Sequence, residues 1–160
     1  EEIRNKVETS DSDWHGILVD NYIGSRLVRH GWGGSYGKPQ YPGLFRKGAK
    51  KWNRQRVHPA IDLTGNQGAV LQQRLDHYVD RNISDMIRRL DSYTSARALD
   101  IREFGGGGGY GRNVRRIFTR FWKCYVSRKG YREGGYGLLV AMFAAFYPIL
   151  SYLKATLEES

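Results

Sequence analysis

Two histidines and their neighbours carry the residue types best suited to chemistry in this chain. His30 and Trp32 open a glycine-rich stretch that runs to Gly48, and His58 follows a short apolar stretch. Neutral imidazole ligates metals and imidazolium pairs with phosphate, so His58 is a candidate contact for a diphosphate or a metal ion. Glycines permit close approach and aromatic rings offer flat faces, so we expect His30 and Trp32 to contact a sugar or a base.

Asp11-Ser12-Asp13 has the Asp-x-Asp pattern of a candidate cation site. Two carboxylates at this spacing can chelate a hard cation through oxygen. Acidic turns are common on protein surfaces, however, and we predict a solvated turn here. Cys124 is the only cysteine, so no spacing for a four-ligand zinc site is present. We therefore assign no metal ligand within these 160 residues.

Positive charge is concentrated between Tyr110 and Arg132. This segment holds eight Lys or Arg and no Asp or Glu, and the formal net charge is +10, so the other residues carry only +2. Such a patch attracts nucleic acid, anionic lipid or phosphorylated substrates. The apolar run from Leu138 to Tyr152 favours an anionic membrane surface, because nucleic-acid binding does not explain it. The expected membrane contacts are Arg112, Arg115, Arg116, Arg120, Trp122, Lys123, Arg128 and Lys129.

Hydrophobic periodicity predicts the elements that position these residues. Apolar residues three and four apart predict a helix over about 83–103, capped by Asn82 or Ser84. Ile3 and Val7 suit the end of a short amphipathic helix over residues 1–8. Short strands or extended segments are expected at 17–29, 57–58, 60–63 and 69–75.

The C-terminal part is predicted to contain two helices after a glycine linker. Aromatic residues at positions 118, 121, 122 and 125 predict an amphipathic helix, with Arg120 among the basic residues opposite. Glycines from 130 to 137 should separate it from the apolar element Leu138 to Lys154, which Pro148 interrupts. Fifteen residues of helix reach roughly 22 Å, short of a hydrocarbon core of about 30 Å. We therefore expect the last element to lie in the membrane interface or to pack under the basic helix.

These expectations divide the chain into three regions. Residues 1–104 form one domain part, 105–111 a glycine-rich linker, and 112–160 the basic amphipathic and apolar membrane-associating helices. The glycine run at 105–109 lacks the Lys-Ser/Thr ending of a phosphate-binding loop and favours a hinge.

Several motifs, in their order, resemble the second half of bacterial family 2 glycosyltransferases, in the branch that acts on lipopolysaccharide cores and exopolysaccharides. The resemblance covers nearly the whole chain. Its first motifs are Glu2-Ile3-Arg4, Asn21-Tyr22-Ile23-Gly24, His30-Gly31-Trp32, Leu44-Phe45-Arg46-Lys47-Gly48, Trp52 and Val57-His58. His77-Tyr78, Arg88-Arg89-Leu90, Tyr93-Thr94 and the ending Phe121 to Lys154 continue it.

The resemblance implies an α/β fold, the C-terminal part of a GT-A-type nucleotide-sugar transferase domain followed by interfacial helices. In the family, a divalent metal (Mg or Mn) held by an Asp-x-Asp pair neutralises the leaving diphosphate. The resemblance places that pair, and the nucleotide-binding strands, before Glu1. We therefore expect that residues 1–160 alone bind no metal and do not catalyse transfer.

The resemblance also suggests partners and a location. It implies a nucleotide-sugar donor, a lipid-linked or polysaccharide acceptor, no nucleic acid, and a peripheral position on the cytoplasmic face of the bacterial inner membrane. The substrate-binding residues that it implies are His30, Trp32, Arg46, Trp52 and His58.

Two departures from the family pattern bear on catalysis. Family members often have Arg before Leu-Phe, where this chain has Gly43. They often have His-Glu where this chain has His58-Pro59, so Pro59 stands in the place of the Glu. Because Pro59 removes a carboxylate, no catalytic base is assigned, and Asp62 is an unsupported substitute. The alternatives to a transferase are a basic nucleic-acid-binding module and a non-catalytic membrane adaptor.

Overall fold

The computed structural model describes residues 1–32, 40–57 and 59–158, and in them the chain is a mixed α and β structure. A π-helical turn, Lys123–Ser127, and a 3₁₀ turn, Gly130–Glu133, connect the last two helices. The elements are α1 (Glu2–Thr9), β1 (Trp14–Ile23), β2 (Arg26–Val28), β3 (Gln40–Phe45), β4 (Lys50–Trp52), β5 (Ile61–Leu63), β6 (Arg74–Asp80), α2 (Ile83–Phe104), α3 (Tyr110–Trp122) and α4 (Gly134–Leu157).

β1 organises the main sheet. β3 pairs antiparallel with its first half, so that Phe45 lies opposite Trp14, and β2 pairs antiparallel with its last residues, where Val28 lies opposite Asn21. β6 runs parallel to β1 along residues 18–23. β4 and β5 form a separate antiparallel hairpin. The segment after β3 therefore lies near the start of β1, and the loop after β2 lies near its end.

One hydrophobic core joins the end of this sheet to the helices. Buried Ile23 and Val28 from the sheet meet Met86 of α2, Cys124 of the π-helical turn, and Val140 of α4, each less than a tenth exposed. Hydrophobic contacts of this kind define a shared core. Residues 112–158 therefore pack as part of the same core as the sheet, and α3 itself takes in Tyr110 and Gly111 of the expected linker.

Several predicted elements are confirmed. α2 occupies the predicted helix, and the Asn82 side-chain oxygen accepts a hydrogen bond from the Asp85 backbone N–H at 2.9 Å, which identifies Asn82 as the cap. The predicted extended segment at 17–29 forms β1 and β2, joined by a turn in which Gly24 has a φ of 59°. α1 confirms the N-terminal helix.

The strand predicted at 60–63 is confirmed as β5, but two other strand predictions are wrong. The apolar stretch 69–75 is mostly irregular, and the strand β6 begins only at Arg74. Val57 is buried but lies outside any strand, whereas β3 forms within the stretch from His30 to Gly48 that we expected to be a loop, and β4 forms just after it, where no strand was predicted. β3 depends on its pairing with β1, which local spacing does not reveal.

The predicted end and length of the last helix are also wrong. α4 has 24 residues, about 36 Å at 1.5 Å per residue, and the buried Pro148 lies inside it. Proline lacks the N–H that would bond the carbonyl four residues earlier, that of Ala144. Arg120 compensates, since its Nε donates to the Ala144 carbonyl oxygen at 2.9 Å. The helix continues through the proline because α3 satisfies the carbonyl.

The apolar stretch that ends the chain meets the length and composition needed to cross a membrane. It covers Gly130–Leu157, and its most apolar 18-residue window has a mean hydropathy of 1.7. α4 nevertheless packs against α2 and against α3, and 39% of its most apolar window is buried within the protein. Packing under the basic helix, one of the two arrangements predicted from the sequence, is therefore what the structure shows.

Three glycines allow the loop after β2 to approach the start of α4. Gly31 has a φ of 66°, and a Cβ there would lie 3.2 Å from the Cα of Gly130. A Cβ on Gly137 would lie 1.9 Å from the Gly130 carbonyl oxygen. The predicted break between the basic helix and the last element occurs at the 3₁₀ turn that begins at Gly130, but its extension to Gly134, Gly135 and Gly137 is wrong, because these residues lie within α4. The reason for glycine at 31, 130 and 137 is backbone contact.

We expect Gly137→Ala to lower the free energy of unfolding by about 1–3 kcal/mol, because the new methyl group overpacks a backbone contact. Gly135→Ala is the matched control, since a Cβ at Gly135 meets nothing within 4 Å. It should raise the free energy of unfolding by up to about 1 kcal/mol, through helix propensity. Urea denaturation followed by circular dichroism measures both, and equal effects would contradict the contact.

Candidate functional site

A buried carboxylate, Glu133, holds the loop that carries the first predicted site residues. Its Oε1 accepts hydrogen bonds at 2.9 Å from the backbone N–H groups of Arg29 and His30 and from the His30 Nδ1. Its Oε2 lies 3.4 Å from Arg26 Nη2. Only 5% of Glu133 is exposed, so these donors replace the water that the carboxylate loses.

These contacts determine the ionisation of Glu133. Burial opposes the charged form and is the largest single influence, but the hydrogen bonds from His30, from the two backbone N–H groups and from Arg26 together lower the pKa below its usual value. The carboxylate is therefore ionised at neutral pH. An ionised carboxylate only accepts hydrogen bonds, so His30 Nδ1 carries the hydrogen and Nε2 is the ring nitrogen left to meet a ligand.

Trp32 follows on the same loop and lies between two arginines. The guanidinium carbon of Arg120 is 4.6 Å from the ring centre, and that of Arg128 is 5.5 Å away. Both distances suit cation–π attraction. The Trp32 backbone N–H also donates to the Cys124 Sγ at 3.3 Å. Burial raises the pKa of this thiol, which makes Cys124 a packing residue and not a nucleophile.

A groove of about 410 Å³ opens beside Trp32, between α2, α3 and α4. This volume lies within the range of small-molecule sites. Within the lining, Arg89 is paired with the buried Asp80 at 2.7 Å. The lining residues are Trp32, Met86, Arg89, Leu90, Tyr93, Arg120, Val140, Phe143, Ala144 and Tyr147.

Arg120 contributes a positive charge to the groove. Burial, and to a lesser extent the nearby Arg116, lowers the pKa of its guanidinium, which nevertheless stays charged at neutral pH. In the part of the chain that the structure describes, no carboxylate lies within ion-pair distance of it. The groove therefore combines an apolar wall, an aromatic face and a cation.

Two of the other predicted substrate-binding residues lie elsewhere. Arg46 donates to the Ser10 carbonyl oxygen at 3.0 Å, next to the start of β1. Phe45, next to Arg46, pairs with Trp14, whereas Val28, just before the His30 loop, pairs with Asn21. Trp14 and Asn21 are seven residues apart on β1, which is roughly 23 Å at about 3.3 Å per residue. The structure therefore does not bring Arg46 to the groove.

Trp52 lies with Arg46 near the start of β1 and faces a cation of the protein itself. Lys50 Nζ lies 4.5, 4.6 and 4.7 Å from the ring centres of Tyr41, Phe45 and Trp52. The same ammonium donates to the Pro42 carbonyl oxygen at 2.7 Å. Lys50 thus fills the aromatic cage that a ligand would otherwise use. His58 lies outside the described residues.

Two buried acids were missed by the sequence analysis. Asp100 of α2 is fully buried and accepts hydrogen bonds from the backbone N–H of Arg56, at 3.1 Å, and from its guanidinium. It thereby anchors the segment just before His58 to α2. Glu133 carried a usable signal, because it is the first acidic residue after the long basic segment. Asp100 carried none, since acids are common on helix surfaces.

The structure divides the predicted membrane contacts between two sides of α3. Positions 120 and 122 differ by about 200° around a helix, so Arg120 faces the groove and Trp122 faces outward. Arg128 lies over Trp32, and Arg116 donates to the Asn113 side chain at 3.3 Å. The exposed basic members of the set are Arg112, Arg115, Lys123 and Lys129.

An exposed apolar face covers the outer side of the α3 and α4 pair. It comprises Phe118, Trp122, Leu138, Met142 and Phe146, whose exposed fractions run from 38% to 71%. A shallow groove lined by four of these five residues connects the two helices. Contiguous exposed apolar surface of this kind marks protein or membrane contacts.

The predicted turn at Asp11 and Asp13 has a structural role. Asp13 Oδ2 accepts a hydrogen bond from the Asn66 backbone N–H at 2.8 Å. Among the described residues there is no group of three or more His, Cys, Asp or Glu side chains placed to hold a metal ion. Compared with known proteins, the chain matches no family model, no curated protein and no solved structure.

We expect Glu133→Gln to lower the free energy of unfolding at pH 7 by about 1–3 kcal/mol, because the amide cannot satisfy all of the donors around it. A depressed folded pKa gives stability that is present above the unfolded value, about 4.3, and that is lost as the pH falls through the folded value. The difference between the native protein and the variant should therefore shrink below pH 4.

Glu8→Gln is the matched control, because Glu8 is exposed. It should change the free energy of unfolding by less than about 0.5 kcal/mol at every pH. Guanidinium denaturation at pH 7, 5 and 3.5 measures these differences. A gap between native protein and Glu133→Gln that stays constant with pH would show that the Glu133 charge does not stabilise the loop.

Proposed function

We propose that this chain is the acceptor-side part of a family 2 glycosyltransferase of GT-A type. The enzyme would transfer a sugar from a nucleotide sugar to a lipid-linked or cell-envelope polysaccharide acceptor, at the cytoplasmic face of the bacterial inner membrane. The observation that carries the proposal is the His30-Gly31-Trp32 motif, a loop that Glu133 and the glycine contact hold so that Trp32 lines the groove.

The geometry of this motif suits acceptor recognition. The Glu133 carboxylate fixes the imidazole so that Nε2 can bond a hydroxyl group, and Trp32 presents a ring beside a cavity. Sites for small polar ligands combine a mostly apolar wall with a few placed polar groups. A sugar has hydroxyl groups for the imidazole and C–H faces for the ring, so the two residues would orient one acceptor residue.

Donor binding and metal chemistry are assigned to residues outside this chain. A divalent metal would neutralise the leaving diphosphate when bound. Among the described residues, no group of three or more His, Cys, Asp or Glu side chains is placed to hold it. The contribution of residues 1–160 in the proposal is acceptor binding and attachment to the membrane.

Attachment to the membrane is supported by the exposed apolar face. Phe118 and Trp122 are 71% and 63% exposed, and Arg115 and Lys123 are exposed nearby on the same helix. Aromatic residues favour the interface, and each basic side chain near an anionic surface contributes on the order of 1 kcal/mol. The proposal is a peripheral position with the outer side of α3 and α4 in the interface.

In the enzyme that carries this chain, we expect His30→Ala and Trp32→Ala each to lower sugar transfer about tenfold to a hundredfold, because the acceptor loses its orientation. Phe104→Ala is the control, since Phe104 is a 51% exposed aromatic residue at the end of α2, outside the groove. Transfer from radiolabelled nucleotide sugars to a membrane fraction measures the effect. Absence of transfer from every sugar nucleotide would contradict the proposal and favour a non-catalytic adaptor.

We expect the chain to float with vesicles of equal parts phosphatidylglycerol and phosphatidylcholine, and to dissociate as salt is raised. The double variant Phe118→Ser/Trp122→Ser should bind at least about tenfold more weakly, because exposed aromatic area no longer enters the interface. Ile3→Ser/Val7→Ser is the control, since these residues are 52% and 66% exposed on α1. Tight binding to single-stranded nucleic acid without vesicle binding would contradict membrane attachment.

A further inference from the structure

We infer that the groove between α2, α3 and α4 binds an anionic amphiphile, with its phosphate or carboxylate head on Arg120 and a single hydrocarbon chain along the apolar wall. The inference deepens the proposed function, on which it rests for the natural ligand. That ligand would be the lipid-phosphate portion of a lipid-linked acceptor.

The first support is a cation that lacks an anion. Burying a charge costs free energy unless a partner compensates for it. Arg120 lines the groove, and the other arginine there, Arg89, already pairs with Asp80 at 2.7 Å. No carboxylate within the described residues lies at ion-pair distance from Arg120, and the residues outside them contain one acid, Glu159. A ligand is the natural source of the missing negative charge.

The second support is the way the guanidinium is held. Arg120 Nε donates to the Ala144 carbonyl oxygen that Pro148 leaves free, and the ring of Trp32 lies 4.6 Å from the guanidinium carbon. These two contacts fix the plane of the group. They use Nε and the π face, and among the described residues Nη1 and Nη2 have no hydrogen-bond acceptor, so both can donate to an anion. Arginine binds phosphate and carboxylate oxygens in this two-pronged way.

The third support is the composition of the wall. Besides the two arginines and the rings of Trp32, Tyr93 and Tyr147, the groove is lined by apolar side chains of α2 and α4. Such a wall contributes free energy in proportion to the apolar area that it removes from water, which favours a hydrocarbon chain over a second polar group. The volume of about 410 Å³ accommodates a ligand of small-molecule size. The apolar members are Met86, Leu90, Val140, Phe143 and Ala144.

The groove and the exposed apolar face lie on different sides of the same helix pair. Phe118 and Trp122 face outward, whereas Arg120 faces inward, and on α4 Met142 and Ala144 are related in the same way. Binding an amphiphile in the groove is therefore separable from docking on a bilayer. Each can be removed by substitutions that leave the other surface unchanged.

Isothermal titration of residues 1–160 with dodecyl phosphate, below the concentration at which it forms micelles, tests the inference. We expect one molecule bound per chain, and binding at least about tenfold weaker for dodecanol and for inorganic phosphate. Dodecanoate distinguishes a fatty-acid ligand from a lipid phosphate, and binding of either anion supports the site. Equal affinity for dodecanol and dodecyl phosphate, or for inorganic phosphate and dodecyl phosphate, would overturn it.

Substitutions locate the site. Arg120→Gln should weaken dodecyl phosphate binding about tenfold to a hundredfold, the range expected for a charge-assisted hydrogen bond. Arg120→Lys should recover part of the affinity, and Arg115→Gln, at an exposed position on the same helix, should leave it unchanged. Ala144→Phe should reduce binding by filling the groove while vesicle flotation persists. Unchanged affinity in both Arg120→Gln and Ala144→Phe would place the ligand elsewhere.

The outcome can be separated from that of the proposed function. Binding is measured without a sugar nucleotide, so it does not depend on transfer. Sugar transfer by the enzyme, together with no dodecyl phosphate binding to the chain, would overturn the groove assignment and leave the transferase proposal standing. Dodecyl phosphate binding without any transfer would leave the groove as a lipid site on a protein of another function.

Discussion

The arrangement of the candidate site depends on the buried carboxylate of Glu133. It lies just before α4 and bonds the loop after β2, 103 residues earlier in the chain at His30. The loop presents the backbone N–H groups of Arg29 and His30, and the buried carboxylate accepts a hydrogen bond from each. Once this contact is made, the orientation of His30, the approach of Gly31 to Gly130, and the position of Trp32 over the groove follow.

A second constraint links Pro148 to Arg120. Proline inside a helix leaves the carbonyl four residues earlier without its usual donor. The side chain of Arg120 supplies the hydrogen bond from the neighbouring helix. One arginine thus closes a gap in α4 and brings a cation to the edge of an apolar groove. The basic residues of α3 therefore do not all face solvent, because Arg120 faces the groove.

The separation of the sheet from the groove limits which residues can act together. The Lys50 cage, with Trp52, and the contact of Arg46 with Ser10 lie near the start of β1, whereas the His30 loop lies near its end. Because the strand between them is extended, these groups cannot share one small ligand. Trp32 lines the groove and His30 lies two residues before it on the same loop, whereas the cage stabilises the other end of the sheet by burying its own cation.

The sequence alone determined the elements that show a clear local pattern of apolar residues. α2 with a cap at Asn82 or Ser84, the extended segment that forms β1 and β2, and the amphipathic character of α3 follow from period, composition and capping chemistry. Tertiary structure decided the rest. Four features each depend on a partner distant in sequence. They are the orientation of Arg120 toward the groove, the continuation of α4 through Pro148, the strand β3 and the role of Glu133. The physical reason is that periodicity shows which residues share a face of an element, while only packing shows what that face meets.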